Sequence, residues 1–460
     1  MAMVQSAGPL PNVTPAPKPL RFPFNLVKLL SNNVEIIPLQ AYEQEVVVAP
    51  GPPRIAFLTG ADAVEKILKT DAFDFPKDRL QIEITAPLFG TAMGSSEGAE
   101  WRWQRGAMAP LFRHEQLLSY VPIMQAAADA TITAWRAAPA GTEHAINRDM
   151  MRAAFAVISQ TMLAGGADEV IAAIEKGHGA YFQQINWWVL HRMLRLPAWF
   201  PRPGGRIMRR QEKLLRDSVD ALVRERRDHA AGGDDLLGRL LTAKDPETDR
   251  AMPHGRLIDN IIALLVSGYD TTALTLTWTL YLLARHGDWE ARILDEVQAL
   301  AGDGPITADH LPDLIIVEQV LKEAMRLYPA APIILREIPE DTQFGDVTVP
   351  AGTIGMVPIY AVHRHRNIWD DPENFDPSRF AADASFKPGR YTYLPFGAGP
   401  RICIGAAFSM MESKIMLANF VRAARFAVRP GFEPRPTGQM FLTAGGPLPL
   451  QVTLRDGSKA

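Results

Sequence analysis

The sequence predicts a mainly α fold with small β-sheets, built as one large domain. Hydrophobic residues make up 47% of the 460 residues and charged residues 22%, which is typical of a globular protein with a large core. Apolar residues at helical spacing cover most of the chain, whereas strand signals are short and few. No Gly-, Pro- or Ser-rich stretch is long enough to separate two domains, so we expect a single domain over residues 22–460.

The net charge and the cysteine count exclude several classes of protein. The formal net charge is −3, which does not favour a nucleic acid or an anionic membrane surface as a partner. The chain has one cysteine, which excludes an intrachain disulfide and every zinc or iron–sulfur site that needs several cysteines. We expect a cytoplasmic protein, because a reducing compartment suits a single free thiol.

The first segment of the chain is predicted to be a flexible lead-in. Residues 1–21 are rich in Pro, Ala and small polar residues, and they contain no apolar run long enough for a signal peptide or a membrane anchor. Two short apolar runs follow, at residues 45–48 and 54–58, with a Pro-Gly-Pro-Pro turn between them. This pattern predicts a hairpin.

Two long helices are predicted next. Residues 205–231 are amphipathic and end at a Gly-Gly pair. Residues 261–284 are mostly apolar and long enough to cross a bilayer, so a transmembrane helix is a fair alternative for the isolated segment. The polar cluster at residues 267–272 would be costly in lipid, and a helix buried in a large core explains the same pattern.

The C-terminal part alternates helix and strand signals. Helical spacing returns over residues 404–421. Strand signals appear near residues 348–350, over 353–359 and again from 440 to 454.

The lone cysteine lies in residues 396–405, Phe-Gly-Ala-Gly-Pro-Arg-Ile-Cys-Ile-Gly. A free cysteine is usually a small buried hydrophobe, but the flanks favour a metal-bound thiolate. Gly397 and Gly399 allow sharp turns and the close approach of a flat partner, and Arg401 adds a fixed cation. Cys403 would lie at a helix N-terminus, where free N–H groups and the dipole stabilise a thiolate. We predict that Cys403 is the axial ligand of a haem iron.

This decapeptide resembles the haem-binding loop of the cytochromes P-450. The resemblance implies a single P450-like domain that binds haem b through Cys403. Phe396 would pack over the ligand side of the haem, and Gly405 would leave room beneath it. The lack of an N-terminal membrane helix makes the chain similar to soluble bacterial members.

The midpoint of the long apolar helix is similar to the P450 pattern of an acid beside a threonine, here Asp270 and Thr271. The resemblance implies that Thr271 hydrogen-bonds dioxygen and that Asp270 relays protons from solvent. The alternative is a hydroxyl that bonds to the carbonyl one turn earlier. Ser267 departs from the pattern, because members commonly carry Gly or Ala there, and its hydroxyl would alter water placement or narrow the pocket.

A structural network is implied at the end of another helix. Glu323 and Arg326 are three residues apart and share one helical face, and Pro329 ends that helix. Alone, this spacing most often marks a surface ion pair. It is also similar to the buried Glu-x-x-Arg pair of the P450s, which Arg379 completes, although Ser378 stands where members often have Glu. The resemblance assigns these three charged residues to folding and haem retention.

Cations are available for the carboxylates of a haem. Trp101 and Arg105 are four residues apart on one helical face and resemble the W-x-x-x-R propionate contact of the family. Arg336 and Arg401 match two further propionate-binding positions. Each arginine, considered alone, is most often solvated. His363 is a further candidate, for which a structural role is the alternative.

The resemblance implies a pocket for a hydrophobic organic substrate. An aromatic segment over residues 182–199 is the expected lid. Fatty acids, terpenoids, steroids and aromatic hydrocarbons all remain open as substrates. The expected pocket residues are Leu264, Ser267, Thr271, Ile333, Ile334, Phe441 and Leu442.

The resemblance implies a monooxygenase that inserts one atom of O2 into the substrate and releases the other as water. The electrons would come from a separate ferredoxin or flavodoxin-type donor with its reductase, because the segment after residue 405 is too short for a fused reductase. A solvated surface is the alternative for the expected basic docking residues, which are Arg102, Arg113, Lys387, Arg390 and Lys414.

Other functional classes remain open. A peroxide-using haem-thiolate peroxygenase or isomerase would need no electron donor. A non-enzymatic haem sensor or redox carrier would need neither a proton relay nor an apolar pocket. A haem-free helical protein would be colourless.

Overall fold

The computed structural model describes residues 8–20, 24–51, 53–139, 141–163, 170, 191, 196, 204–228 and 235–455. It is mainly helical with small sheets, which confirms the predicted fold class. The helices, in chain order, are α1 (Phe24–Ser31), α2 (Ala61–Glu65), α3 (Arg79–Phe89), α4 (Gly98–Met108), α5 (His114–Leu118), α6 (Val121–Ala137), α7 (Ile146–Leu163), α8 (Gly205–Asp228), α9 (Leu236–Thr242), α10 (His254–Arg285), α11 (Gly287–Ala301), α12 (Ile315–Leu327), α13 (Ile359–Val362) and α14 (Ala406–Ala423).

The strands form small sheets. The predicted hairpin, β1 and β2, is extended by β7 and β4 into a sheet of order β1-β2-β7-β4, in which β2 and β7 are parallel. A second sheet has the order β3-β11-β8, and two strand pairs, β5-β6 and β9-β10, complete the set. The strands are β1 (Val46–Ala49), β2 (Ile55–Leu58), β3 (Glu143–Ala145), β4 (Ile334–Ile338), β5 (Thr342–Phe344), β6 (Val347–Val349), β7 (Thr353–Val357), β8 (Ala424–Val428), β9 (Thr437–Gly438), β10 (Leu442–Thr443) and β11 (Pro449–Leu454).

Helix α10 is the central element of the core. It packs against α7, α8, α12, α14 and β8. Among the described residues it is the one helix long and apolar enough to cross a membrane, and 67% of its apolar window is buried inside the protein. Burial in the core therefore explains its apolar sequence.

Local sequence sets the ends of the helices near the functional residues. Helix α12 ends at Leu327, two residues before Pro329, whose ring disfavours helical backbone in the residue that precedes it. The Asp78 side chain caps α3 by accepting hydrogen bonds from the N–H groups of Leu80 and Gln81. Helix α14 begins directly after Gly405.

The described part of the lead-in, residues 8–20, contacts the domain. Val13 and Ala16 are buried, the Val13 N–H donates to the Tyr360 hydroxyl at 3.0 Å, and the Tyr328 hydroxyl donates to the Pro11 carbonyl at 2.8 Å. The prediction of a flexible lead-in is therefore wrong for this stretch. Prolines suppress helix and strand but leave backbone carbonyls that accept hydrogen bonds. The boundary between lead-in and domain stays a prediction.

The predicted Glu323–Arg326 pair is fully buried. The guanidinium of Arg326 donates to both carboxylate oxygens of Glu323, at 2.6 and 2.7 Å. Its remaining N–H groups donate to the backbone carbonyls of His363, Pro372 and Asn374. Such a pair orders three separate chain segments, because each donor of the planar guanidinium finds its own acceptor.

Two further contacts complete this network. The N–H of Asp376 donates to Glu323 at 2.9 Å, and Arg379 Nε lies 3.5 Å from the same carboxylate. Arg379 also donates to the Asp371 carbonyl at 2.9 Å. The structure thus brings Glu323, Arg326 and Arg379 together, while their part in haem retention stays a proposal.

His363 belongs to the same network and is not placed as a propionate ligand. It is fully buried, its Nε2 accepts from the Leu394 N–H at 2.7 Å, and its Nδ1 lies 3.2 Å from the Arg326 carbonyl. Burial, aided by the Arg326 cation, lowers the pKa of His363 to about 3. The histidine is therefore neutral and structural.

Replacing Glu323 by Gln should lower the free energy of unfolding by about 3–5 kcal/mol, because Arg326 would keep a buried charge without its carboxylate partner. The measurement is urea unfolding. Asp217→Asn is the matched control, since Asp217 forms an exposed intrahelical pair with Lys213 at 2.7 Å and should cost less than about 1 kcal/mol. Equal losses in the two variants would contradict the structural role of Glu323.

His363 should make the protein less stable as the pH falls. The unfolded chain takes up a proton near the ordinary histidine pKa of about 6.5, whereas the folded chain does so only near 3. The contribution of His363 is therefore complete above about pH 6.5 and is lost at about 1.4 kcal/mol per pH unit below it.

Urea unfolding between pH 7 and pH 4.5 tests this dependence. His363→Gln, which keeps an acceptor for the Leu394 N–H, should lack that part of the slope. Parallel stability curves for the two proteins would show that His363 is not buried in its neutral form.

Candidate active site

The cysteine loop turns sharply at two glycines. Gly397 and Gly399 have φ angles of +73° and +72°, a region that side-chain-bearing residues rarely adopt. A Cβ on Gly399 would lie 1.8 Å from the Leu68 carbonyl oxygen. Only glycine fits this position, and the loop is thereby held against the turn that follows α2.

Cys403 is fixed at the start of α14. Its N–H donates to the Phe396 carbonyl at 3.0 Å, and the helix begins three residues later at Ala406. Cys403 is exposed, whereas most of α14 after residue 410 is buried. Phe396 is partly buried, and a Cβ on Gly405 would meet nothing within 4 Å. The loop therefore presents its sulfur on an open surface.

The shift in the pKa of Cys403 is opposite to the shift that the sequence predicts. Although the residue is exposed, the protein atoms packed around its sulfur partly desolvate it. This desolvation raises the pKa of the thiol, and the effect exceeds the opposing hydrogen bond from the Gly405 N–H and the charge of Arg105. The helix N-terminus does not by itself hold a thiolate here. A bound cation such as a metal ion would supply the missing stabilisation, because a coordinated thiol loses its proton outright.

Helix α10 has one open stripe in its middle. The side chains or backbone of its members are partly or fully exposed while the rest of this part of the helix is buried. Their spacing follows one face of a helix. The members of this open stripe are Ala263, Leu264, Ser267, Gly268, Thr271 and Leu274.

A hydroxyl contact joins α10 to α14, the helix that follows the cysteine loop. Thr272 Oγ1 lies 3.1 Å from Ser409 Oγ on α14, six residues after Cys403. The two open surfaces therefore belong to neighbouring parts of the same core, with α10 packed across α14. A flat apolar group with a metal at its centre could be held between a sulfur and the hydroxyls of α10.

Thr271 and Asp270 lie at the middle of α10. Thr271 Oγ1 donates to the Ser267 carbonyl at 2.9 Å, which is the back-bonding alternative that the sequence left open. Its oxygen can still accept a hydrogen bond on the open side. Asp270 is buried, and its charge helps burial to raise the pKa of Tyr269. The relay role of the two residues stays a proposal.

Arg336 is a buried cation with an unpartnered atom. Its Nη1 donates to the Leu335 carbonyl at 2.8 Å, but its Nε is buried and finds no acceptor in the described part of the chain. Burial and the nearby Arg401 charge lower the pKa of Arg336 to about 10. A buried guanidinium with a free donor is suited to an anion.

Arg401 lies beside this cation, in the same loop as Cys403. It donates to Glu97 and to the Ala72 carbonyl, and its buried Nε lacks an acceptor among the described residues. Lys77 lies 3.9 Å from the same Glu97 carboxylate, and burial lowers its pKa to about 8. Arg401 and Lys77 thus share one carboxylate, and Arg336 is close enough for the charges of Arg401 and Glu97 to shift its pKa. This cluster leaves positive charge for a bound acid.

Trp101 and Arg105 share α4 as predicted. Trp101 is buried, with its ring 5.9 Å from Phe73. Arg105 Nη1 donates to the Ile402 carbonyl at 3.0 Å, and burial lowers its pKa. Arg105 is therefore adjacent to Cys403. Together with Arg336 and Arg401, these residues fit the two carboxylates of a haem beside an axial sulfur.

Only some of the expected pocket residues are exposed. Leu264, Ile333, Ile334 and Phe441 are partly exposed. Leu442 is fully buried, so the prediction that its side chain lines the pocket is wrong. Its backbone is held on both sides, by Ala330 and by the Trp278 indole, and this pairing turns the side chain into the core.

The expected docking residues and the expected lid differ in how far the structure describes them. Lys414 is buried and donates to the Leu311 carbonyl at 2.6 Å and to Glu318 at 2.9 Å, so its assignment to a docking face is wrong. The other expected docking residues, Arg102, Arg113, Lys387 and Arg390, are exposed. The predicted lid over residues 182–199 lies outside the described residues except for residues 191 and 196.

Several members of the site were not predicted from the sequence. Ala263 and Leu274 extend the open stripe by one turn in each direction, and helical spacing from Ser267 would have found them. Glu97 and Lys77 carry no motif of their own. Their role follows only from the fold, which brings two separate segments to Arg401.

The chain is similar to known proteins in sequence and in fold. Residues 15–453 match the family described as Cytochrome P450. Cyclooctat-9-en-7-ol 5-monooxygenase of Streptomyces melanosporofaciens is 31% identical over 401 residues, which cover 85% of this chain and 84% of that protein. Pentalenene oxygenase of Streptomyces avermitilis is 27% identical over 453 residues, covering 97% and 96%. The crystal structure of the cytochrome P450DA heme domain covers 97% of this chain and 99% of its own, with a TM-score of 0.83 and 22% identity, which shows the fold alone.

Proposed function

Because the chain belongs to the cytochrome P450 family and is therefore a haem b oxidoreductase that incorporates oxygen, we propose that it inserts one atom of O2 into a terpenoid substrate. The other atom leaves as water. One observation carries this proposal: Cys403 is exposed at the start of α14, and α10, the helix that packs against α14, carries an open, hydroxyl-bearing stripe inside an otherwise buried core.

The haem would be held by residues of the loop and of three other elements. When bound, the haem supplies oxygen activation at its iron, and a thiolate ligand favours cleavage of the O–O bond. Cys403 would be the axial ligand. The carboxylates of the haem would be held by Arg336 and Arg401, whose Nε groups lack acceptors among the described residues, and by Trp101 and Arg105.

Thr271 and Asp270 would handle protons at the open side. The Thr271 hydroxyl donates to the Ser267 carbonyl. Its oxygen would accept a hydrogen bond from a group in the open space while the side chain keeps its orientation. Rotation of that hydroxyl would let it donate instead. Asp270, one residue earlier and buried, would supply protons from the solvent side while the apolar stripe excludes bulk water.

The substrate is proposed to be hydrophobic, with few polar groups. The open stripe carries Ala263, Leu264 and Leu274 beside two hydroxyls. Ile333, just before β4, and Ile334, its first residue, are partly exposed. Two Streptomyces relatives are named for unsaturated skeletons, one a hydrocarbon and one an alcohol. These observations favour terpenoids over fatty acids, because none of the stripe residues is a cation for a carboxylate.

Electrons would come from a separate ferredoxin or flavodoxin-type protein with its reductase, in the cytoplasm. Exposed cations would bind an acidic partner and speed its association by electrostatic steering. They are Arg102, Arg113, Lys387 and Arg390.

The test is turnover with isotopic oxygen. The haem-loaded protein, NADPH, ferredoxin and ferredoxin reductase should convert the terpenoid hydrocarbon valencene to an alcohol that gains one 18O atom from 18O2 and none from labelled water. Product that takes its oxygen from water would contradict the proposal. Product formed from peroxide alone, with none formed from O2 and reductant, would favour the peroxygenase alternative.

A matched pair of variants tests the proton role in the same assay. Thr271→Ala should lower the product formed per NADPH by roughly tenfold or more while NADPH is still consumed, because protons no longer reach oxygen in order. Thr275→Val is the control: Thr275 makes the same bond to a carbonyl one turn earlier, at 2.9 Å, but it is buried away from the open stripe. Equal product yields from the two variants would remove Thr271 from the mechanism.

A further inference from the structure

Ser267 behaves unlike the other hydroxyl residues of α10. Five threonines of this helix donate to the carbonyl four residues earlier, with Oγ1–O distances of 2.6–3.2 Å; they are Thr271, Thr272, Thr275, Thr277 and Thr279. A serine inside a helix commonly makes the same bond. In the described part of the chain the Ser267 hydroxyl makes no hydrogen bond, and its side chain is exposed within the open stripe.

The Ser267 hydroxyl is a free donor in a mostly apolar part of α10. The carbonyl of Ser267 already accepts the Thr271 hydroxyl at 2.9 Å, so the Thr271 proton is engaged and the Ser267 proton is not. Apart from Thr271, the other side chains of the open stripe are apolar: Ala263, Leu264 and Leu274. When a substrate fills the pocket and displaces water, a hydroxyl left without a partner is costly. A pocket with a free hydroxyl donor therefore discriminates between ligands with and without an oxygen atom.

We infer that Ser267 is a specificity-determining residue whose hydroxyl binds an oxygen atom of the substrate. The pocket then selects a hydrophobic skeleton that already carries one hydroxyl or keto group. Side chains one helical turn apart lie about 5–6 Å from each other at their Cβ atoms, so the bound oxygen of the substrate lies close to Thr271. The inference rests on the proposed function, because it assumes that the open stripe lines the substrate pocket.

A bound water molecule has the same hydrogen-bonding chemistry as a substrate hydroxyl, and the experiment separates the two. Three sesquiterpenoids of one carbon skeleton serve as probes: valencene, a hydrocarbon; nootkatol, its alcohol; and nootkatone, its ketone. Their dissociation constants are measured with the haem-loaded protein by optical titration of the spin state. The quantity compared is the ratio of the valencene constant to that of each oxygenated probe.

Ser267→Ala should lower this ratio by about fivefold or more for at least one oxygenated probe, the factor expected for one lost hydrogen bond. The double variant Ala263→Ser/Ser267→Ala is the matched control, because it moves the hydroxyl one turn along the same stripe and should leave the ratio low. An unchanged ratio in Ser267→Ala would overturn the inference, and so would full recovery in the double variant.

Three further outcomes of this experiment would overturn the role of Ser267. A change in the spin state of the ligand-free protein with an unchanged ratio would mean that Ser267 holds only water. A shift to low spin with nootkatol in both proteins would mean that the alcohol binds the iron directly. Either result overturns the inference while the proposed function stands. If none of the three probes shifts the spin state, the terpenoid function itself fails, and the inference fails with it.

Discussion

The active site depends on holding one sulfur at an open surface inside a closely packed core. Two features of the backbone contribute to this: the Cys403 N–H donates to the Phe396 carbonyl, and Gly399 allows the loop to approach the Leu68 carbonyl as no other residue would. Burial raises the pKa of the thiol, so the loop does not keep a thiolate by its own electrostatics. The loop supplies position, and the metal is left to supply the charge that removes the proton.

The cations around the site also lack a full set of opposite charges until a ligand binds. Arg336, Arg401 and Lys77 are buried with a single carboxylate, Glu97, between them, an arrangement with excess positive charge until an acid binds. The Glu323–Arg326 pair is the opposite case, because all its charge is matched within the chain by carboxylate and carbonyl groups. The Glu323–Arg326 pair therefore stabilises the fold by itself, whereas the cations beside the cysteine loop are suited to a bound anion.

Short motifs and helical spacing predicted much of this. The mainly α fold, the first hairpin, the long central helix and the Glu323–Arg326 contact follow from patterns within a few residues of each other. The misses share a cause: the burial of Lys414, the inward side chain of Leu442 and the contacts of residues 9–16 are set by segments far away in the chain. Glu97 was missed for the same reason, and the free hydroxyl of Ser267 depends on rotamers that no pattern carries.

The most direct test of the account is the absorption difference spectrum of the reduced, carbon monoxide-bound protein. Wild type should show the strongly red-shifted Soret band of a thiolate ligand, and Cys403→His should retain haem through Arg336 and its neighbours but lose that band. Bound haem without the red-shifted band in the wild type, or the same band in Cys403→His, would contradict the assignment of Cys403 as the axial ligand.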